Sequence, residues 1–238
     1  MPKIEHYTTT LEKIFELSSS VRTFRLRFPE GQGFAFQAGQ FCMVDVPDKD
    51  KIRKKAYSIA SAPYESEYLD LCIKLVEGGL ATNWFWSLKE GDTVSLGGPY
   101  GNFILPSDIT HDLIFVATGT GLAPFRSMLR QLYHERPDFE RDIWLIFGVR
   151  YEDQILYHED WLDLAKSRRT FHYIPTISRP NKWKGKVGYV QERFAEIIKD
   201  PSNKQLYACG LIPMIEAVEK TAVDIGFDLK QIHFEKYV

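Results

Sequence analysis

The chain has 238 residues, of which 44% are hydrophobic, 26% charged and 14% aromatic, a mixture typical of globular proteins. This composition argues against a disordered chain, and a net charge of -2 gives no electrostatic reason to expect nucleic-acid binding. Three widely separated cysteines, Cys42, Cys72 and Cys209, provide neither a disulfide framework nor a metal-binding spacing, so we expect no metal and a reduced, cytoplasmic setting. No apolar run reaches the ~18–20 residues of a membrane helix, so we expect no membrane span.

The first part of the chain alternates apolar and polar residues, which is typical of half-buried strands. One short helix, Thr82–Leu88, is predicted to begin at a Thr or Ala-Thr cap and to end at Gly91. The predicted strands, separated by Gly, Pro and Asp turns, include Val21–Phe28, Gln40–Val44, Leu69–Leu75 and Thr93–Leu96. The pattern predicts an antiparallel barrel or sandwich.

Beyond residue 108 the pattern changes, because Leu113–Ala117 is a continuous apolar run of the kind found in parallel strands covered on both faces. Further predicted strands are Ile143–Phe147, Phe171–Thr176, Gln205–Cys209 and Ile232–Phe234. They alternate with predicted helices at Phe125–Leu132, His158–Lys166, Val190–Lys199 and Pro213–Ile225. This alternation predicts a doubly wound parallel sheet and two domains, residues 1-108 and 109-238.

A glycine-containing turn, Ala117–Pro124, follows the first apolar strand and precedes a predicted helix. At such a junction, backbone N–H groups and the helix dipole approach a phosphate closely because glycine removes the obstructing side chains. Ala123-Pro124 replaces the third glycine of the dinucleotide-binding pattern, and no acidic residue ends the next strand. Two interpretations therefore stay open, a dinucleotide site and an ordinary tight turn.

A second cluster, Lys54–Ser61, lies in the first part of the chain. Tyrosine offers a flat face for an aromatic ligand, serine a hydroxyl for a ring nitrogen, and lysine a positive charge for a phosphate. By composition alone, the segment is equally consistent with a half-buried strand.

Six motifs occur in an order and spacing that resemble the ferredoxin–NADP reductase family of flavoenzymes: Tyr57–Ser61, Gly78–Trp84, Gly98–Phe103, Gly119–Pro124, Cys209–Met214 and His233–Tyr237. The similarity covers essentially the whole chain. It implies an N-terminal antiparallel six-stranded flavin-binding barrel and a C-terminal doubly wound parallel sheet that binds nicotinamide. Both implied domains agree with the hydrophobic periodicity of the corresponding parts of the chain.

The resemblance implies a non-covalently bound FAD, with FMN as the less favoured flavin. Tyr57 would stack on the flavin, Ser58 would lie beside its hydride-accepting nitrogen, and Thr82 with its helix N-terminus would hold the pyrophosphate. Lys55 stands where the family usually has arginine, so Arg53 is an alternative phosphate ligand. The flavin positions are Lys55, Ala56, Tyr57, Ser58, Gly79, Leu80, Ala81, Thr82 and Tyr237.

For the nicotinamide cofactor, the resemblance implies a preference for NADP(H) over NAD(H). Arg150, Arg179 and Lys186 stand where some relatives contact the 2′-phosphate, and Ser178 adds a hydroxyl; the alternative is a solvated basic loop. The predicted positions are Thr118, Gly119, Thr120, Gly121, Pro124, Arg150, Ser178, Arg179, Lys186, Cys209 and Gly210.

Four residues are predicted to take part in the chemistry: Ser58, Cys209, Glu235 and Tyr237. The family places the cysteine near the nicotinamide and the glutamate near the serine and cysteine. Tyr237 would stack on the flavin face opposite Tyr57 and act as a gate. The alternatives are simple packing for Cys209 and a frayed terminus for Tyr237.

The family's chemistry is hydride transfer between nicotinamide and flavin, followed by electron delivery to a separate acceptor. Three cysteines cannot supply the four ligands of an iron–sulfur cluster, so we expect a separate electron carrier, a ferredoxin or flavodoxin, or a small-molecule acceptor. We expect a monomer. The alternatives are a free-flavin or ferric reductase and a non-catalytic electron-channelling subunit of a larger complex.

Overall fold

The structure, a computed structural model, describes residues 5–237, which divide into two compact units. The first unit extends to Leu105 and includes Ala123–Pro137, whereas the second comprises Pro106–Leu122 and the chain from Asp138 onward. One helix is thus grouped with the first unit although it lies between two strands of the second. The predicted division at residue 108 stays a prediction.

The first unit is built on a six-stranded antiparallel sheet in the order β4-β3-β6-β1-β2-β5. An isolated bridge between Ile59 and Leu71 links the two outermost strands and curls the sheet toward a barrel. The predicted antiparallel barrel is confirmed. Its strands are β1 Glu5–Ser18, β2 Val21–Arg27, β3 Phe41–Asp48, β4 Lys51–Ser58, β5 Tyr68–Lys74 and β6 Thr93–Tyr100; its helices are α1 Leu80–Ser87 and α2 Ala123–Glu135.

The first helix, α1, begins at Leu80 with Gly79 as its N-cap, so the predicted Thr or Ala-Thr cap is wrong. The Thr82 hydroxyl bonds back into the preceding turn, where it accepts from the Val76 N–H (3.2 Å) and lies within bonding distance of the Val76 and Gly79 carbonyls. Thr82 is thus the third residue of the helix, which begins two residues upstream of the predicted start.

A buried carboxylate joins α2 to the barrel. The Asp70 side chain is 2% exposed and accepts two hydrogen bonds from Arg25, while Arg126 of α2 lies 3.6 Å from the same carboxylate. Arg126 also donates to the Ala60 carbonyl at 2.8 Å. A buried carboxylate requires compensating charge, so these bonds attach α2 to the end of β4 and explain its grouping with this unit.

The second unit contains a six-stranded parallel sheet in the order β10-β9-β8-β7-β11-β12. The predicted parallel sheet is confirmed, and the two-residue strand β10 is an addition that the sequence pattern did not indicate. The strands are β7 Asp112–Thr118, β8 Ile143–Val149, β9 Phe171–Ile177, β10 Lys186–Val187, β11 Lys204–Leu211 and β12 Ile232–Tyr237; the helices are α3 His158–Ser167, α4 Val190–Ile197 and α5 Ile212–Ile225.

Helices cover both faces of this sheet. On one face, Phe194 of α4 and Val218 of α5 pack with Ile114 and neighbouring strand residues in a buried cluster. On the other, Trp161 of α3 contacts the ring of Phe171. The strand order reverses between β7 and β11, so the carboxyl ends of these two strands flank the crevice in which such sheets bind ligands.

Among the described residues, no helix is long and apolar enough to cross a membrane.

Candidate functional site

The end of β4 carries Tyr57 and Ser58. Tyr57 is half-buried, and its ring meets Phe85 of α1 edge-on with centroids 5.3 Å apart. Burial, with a smaller contribution from the neighbouring Cys42, raises the pKa of Tyr57 to about 12, so the ring is neutral. Ser58 is buried and pairs with Phe41 of β3. The contact with Phe85 positions the Tyr57 ring at the end of β4, where its free face could stack on an aromatic ligand.

The basic residues upstream on β4 differ in their partners. Arg53 is paired with Asp48 at 2.9 Å, which disfavours it as the alternative phosphate ligand. Lys55 and Ala56 are exposed, and no ion pair of the described residues includes Lys55. Successive strand residues point to opposite faces, so Lys55 shares a face with Tyr57. Lys55 is therefore the available cation beside this ring.

The turn before α1 contains two glycines and leaves the N-terminus of the helix accessible to a ligand. Gly78 has a φ of +71°, and a Cβ on Gly79 would lie 2.7 Å from the Thr82 hydroxyl. Within the described chain, no side chain caps α1, so the first-turn N–H groups of Leu80, Ala81 and Thr82 have no side-chain acceptor. Such N–H groups and the positive end of the helix dipole favour a phosphate ligand.

At the crevice between β7 and β11, the two predicted glycine motifs lie directly against each other. A Cβ on Gly121 would overlap the carbonyl oxygen of Cys209 and lie 2.9 Å from the Cα of Gly210. A Cβ on Gly210 would in turn lie 2.6 Å from the hydroxyl of Thr118. Gly119, Thr120 and Gly121 form a short 3-10 turn here, and Pro124 lies in the first turn of α2.

The hydroxyl of Thr118 is an unsatisfied polar atom at this crevice. It is buried and has no hydrogen-bond partner among the described residues. A buried hydroxyl without a partner costs free energy, and a polar ligand at the strand ends would supply that partner. The residues present therefore fit a nucleotide at this place.

The predicted phosphate-binding cations gather at the carboxyl ends of β8 and β9. The Arg179 N–H donates to the Arg150 carbonyl at 2.9 Å, and the Ser178 N–H donates to the Val149 carbonyl at 3.0 Å. Arg150 and Arg179 are exposed, and no ion pair within residues 5–237 includes either of them. Lys186 differs, because its ammonium group is 2.8 Å from Glu196 of α4.

Three predicted catalytic residues meet on β11 and β12. Cys209 pairs with Glu235 in the parallel register and forms a side-chain hydrogen bond with Tyr237. Burial and then the Glu235 charge raise the pKa of the Cys209 thiol well above its ordinary value, against a lowering by Tyr237. Cys209 is thus a neutral thiol at physiological pH and is not an activated nucleophile.

The predicted residues consequently form one group on β4 and α1 and a second group along the carboxyl edge of the parallel sheet. Sequence reasoning missed Arg126, which fixes the carbonyl of Ala60 just beyond Ser58. An arginine on an amphipathic helix ordinarily faces solvent, so no local signal distinguished it. Its partner Asp70, in a run of otherwise apolar residues on β5, was the available clue.

Comparison with known proteins identifies both units. An oxidoreductase FAD-binding domain family matches residues 8–104, and an oxidoreductase NAD-binding domain family matches residues 115–220. Ferredoxin–NADP reductase B of Sorangium cellulosum (strain So ce56) is 34% identical over 246 residues, covering 100% of this chain and 100% of that protein. The chain belongs to the ferredoxin–NADP reductase family. It is accordingly a flavoprotein oxidoreductase that binds FAD and a pyridine nucleotide.

Other relatives of this reductase are longer than this chain. The phenol 2-monooxygenase reductase component DmpP of Pseudomonas sp. (strain CF600) is 32% identical over 98% of this chain, which spans 66% of that protein. The toluate 1,2-dioxygenase electron transfer component of Pseudomonas putida is 30% identical, and the chain spans 67% of it. The chain thus spans about two thirds of each of these proteins.

Solved structures confirm the fold. The Amycolatopsis cytochrome P450 reductase GcoB has a TM-score of 0.90 at 27% identity, covering 98% of this chain and 70% of that one. A ferredoxin NADP+ reductase from Neisseria gonorrhoeae with bound FAD and NADP has a TM-score of 0.83 at 23% identity and covers 99% of both chains.

Proposed function

We propose that this reductase oxidises NADPH through a bound FAD and delivers the electrons to a separate carrier protein such as a ferredoxin or flavodoxin. The flavin supplies the ability to accept a hydride, which is a proton with two electrons, and to release electrons singly. One NADPH would thus reduce two one-electron carriers. The proposal is supported by family membership and by the two groups of residues described above.

In the barrel unit, we propose that Tyr57 carries the flavin ring, Ser58 lies at its reactive edge, and Lys55 with the start of α1 binds its phosphates. In the α/β unit, Thr118 and the Gly119–Gly121 turn would bind the nucleotide. Cys209 as a neutral thiol would provide packing, and Glu235 would orient the ring or relay a proton. The stacking of Tyr237 on the flavin stays a prediction.

The preference for NADPH rests on one observation, the two unpaired arginines at the ends of β8 and β9. Arg150 and Arg179 are joined through their backbones, and each carries a guanidinium group without an ion-pair partner among the described residues. Guanidinium groups bind phosphates with paired, charge-assisted hydrogen bonds. A 2′-phosphate is the group that distinguishes NADPH from NADH.

Replacing Arg179 with alanine tests this preference. Loss of a charged hydrogen bond of ~1.5–3 kcal/mol should raise the Michaelis constant for NADPH about 10- to 100-fold, with little change for NADH. Arg169→Ala is the matched control, since this exposed arginine precedes β9 at its opposite end. Equal effects on both nucleotides in Arg179→Ala would contradict the proposal.

The acceptor is tested by following NADPH oxidation with a ferredoxin, a flavodoxin, free flavin and ferricyanide. A separate carrier is supported by the relatives named as reductase or electron transfer components. Turnover with free flavin alone, without a flavin retained through gel filtration, would contradict a bound FAD. We further propose a cytoplasmic setting, since the three cysteines are buried and no disulfide joins them within the described residues. We also propose a monomeric state.

A further inference from the structure

A single carboxylate anchors the basic loop that follows β9. One oxygen of Glu152, Oε1, accepts three consecutive backbone N–H groups, from Asn181 and Lys182 at 2.7 Å and from Trp183 at 2.8 Å. Glu152 itself lies in a short 3-10 turn, two residues after Arg150. The loop that carries Arg179 is therefore attached to the segment that carries Arg150.

These bonds favour the ionised form of the Glu152 side chain. The pKa of Glu152 is lowered, most strongly by a hydrogen bond from its own backbone N–H. The N–H groups of Lys182, Asn181 and Trp183 lower it further, against the opposing effect of burial. A carboxylate that accepts several N–H bonds is more stable than its protonated form. At neutral pH, much of its negative charge is directed toward these backbone dipoles.

The far end of the loop is closed by a second set of contacts. The indole N–H of Trp183 donates to the Lys186 carbonyl at 2.9 Å, and its ring fills the space where a Cβ on Gly185 would stand. Lys186 continues into β10 and pairs with Glu196 at 2.8 Å. The loop is thus held at Glu152, at the indole and at β10.

The anchored loop presents exposed, positively charged side chains that could bind an anion. Arg179, Lys182 and Lys184 are exposed, and no ion pair within residues 5–237 includes them. A loop that is already ordered loses less conformational entropy when it binds a ligand than one that must become ordered. Anchoring by Glu152 therefore favours binding of an anion at this loop.

We propose that Glu152 is a positioning residue that gives this reductase its specificity for the 2′-phosphate of NADPH, by holding the Arg179 loop against the end of β8. The inference deepens the proposed function and rests on it. Glu152 does not bind the nucleotide itself. As a negative charge near a phosphate site it would be expected to weaken binding, so positioning and repulsion make opposite predictions.

Two substitutions separate these effects. Glu152→Ala removes both the acceptor and the charge, whereas Glu152→Gln removes the charge and keeps an oxygen that accepts the same N–H groups. Asp153→Ala is the matched control, because this neighbouring carboxylate is exposed and makes no hydrogen bond or ion pair within the described chain. Trp183→Phe loosens the other end of the loop and provides an independent test.

The measurement is a binding titration with adenosine 2′,5′-bisphosphate and with AMP, which lacks the 2′-phosphate. Loss of one anchoring interaction should weaken bisphosphate binding about tenfold in Glu152→Ala and about threefold in Trp183→Phe, with AMP binding unchanged. Glu152→Gln should stay within about threefold of the unmodified protein. The Michaelis constant for NADPH should follow the same order, with kcat unchanged.

Two results overturn the inference while leaving the proposed function intact. They are tighter bisphosphate binding in both Glu152 variants, and unchanged binding in Glu152→Ala and Trp183→Phe. If Glu152→Ala fails to fold, an unchanged bisphosphate affinity in Trp183→Phe has the same meaning. Equal affinity of the unmodified protein for the bisphosphate and for AMP contradicts the NADPH preference itself, and the inference with it.

Discussion

The two glycine turns that begin the proposed phosphate sites look alike in sequence and differ in the structure. Around Gly78, a Cβ would meet nothing within 4 Å, and at Gly79 it would meet the Thr82 hydroxyl and the Val76 carbonyl and Cβ of its own turn. At Gly121, by contrast, a Cβ would overlap the backbone of Cys209 on a different strand. The first turn is an open local structure, whereas the second is part of the packing between distant segments.

This difference separates two uses of glycine. In the barrel unit, glycine provides a backbone conformation and leaves a helix N-terminus accessible. In the α/β unit, glycine allows two backbones to touch at the crevice between β7 and β11. Substitutions at the two turns should therefore differ in size and in what they affect.

The largest effect is expected for Gly121→Ala. The methyl group has no room because its neighbour is backbone, so overpacking should destabilise the α/β unit by about 3 kcal/mol and weaken nucleotide binding. Thermal unfolding and a nucleotide titration would measure both. Gly119→Ala is the control within the same turn: nothing lies within 4 Å of its Cβ, and its φ of +54° leaves only about 1 kcal/mol of backbone strain. Similar losses of thermal stability in both variants would contradict the assigned close contact.

A smaller effect is expected for Thr82→Val in the barrel unit. The substitution removes the hydroxyl that bonds the Val76 N–H and carbonyl and the Gly79 carbonyl, so the turn before α1 should lose about 1 kcal/mol. We expect faster loss of bound flavin on dilution, measured by fluorescence. Thr221→Val removes one comparable bond, to Ala217 in α5, and should leave flavin retention unchanged. Equal flavin loss in the two variants would show that the Thr82 hydroxyl does not contribute to flavin binding.

The smallest effect is a difference in acid sensitivity. Burial lowers the pKa of His233 in β12, so its contribution to stability is present above the unfolded value of 6.5 and is lost as pH falls through the lower folded value. Burial alone would raise the pKa of Glu65, but hydrogen bonds from Tyr68 and Ala62 and the charges of Arg130 and Arg126 lower it below 4.5. The α/β unit should thus begin to lose stability at a higher pH than the barrel unit.

Unfolding curves of His233→Gln and the unmodified protein, recorded across this pH range, would test the order of these losses. The variant lacks the titrating imidazole, so its stability should vary less between neutral pH and pH values below 6.5. His111→Gln, before β7, is the control. Identical pH dependence in all three proteins would show that His233 contributes nothing.

Local sequence patterns determined the sheets, the order of most elements and the six family motifs. Alternation of apolar and polar residues is imposed by the pleat of a half-buried strand, and continuous apolar runs are imposed by burial on both faces. Glycine turns are visible because few other residues adopt their backbone angles. The family, and with it FAD and a pyridine nucleotide, follows from these motifs.

Tertiary structure alone decided which residues act together. Strand β10 has only two residues, and its pairing with β9 rather than its own composition makes it a strand. The grouping of α2 with the barrel depends on Asp70 and Arg126, and the anchoring of the basic loop depends on Glu152 and residues about 30 positions away. Such bonds join side chains to partners that are distant in sequence, so local periodicity and residue propensities cannot predict them.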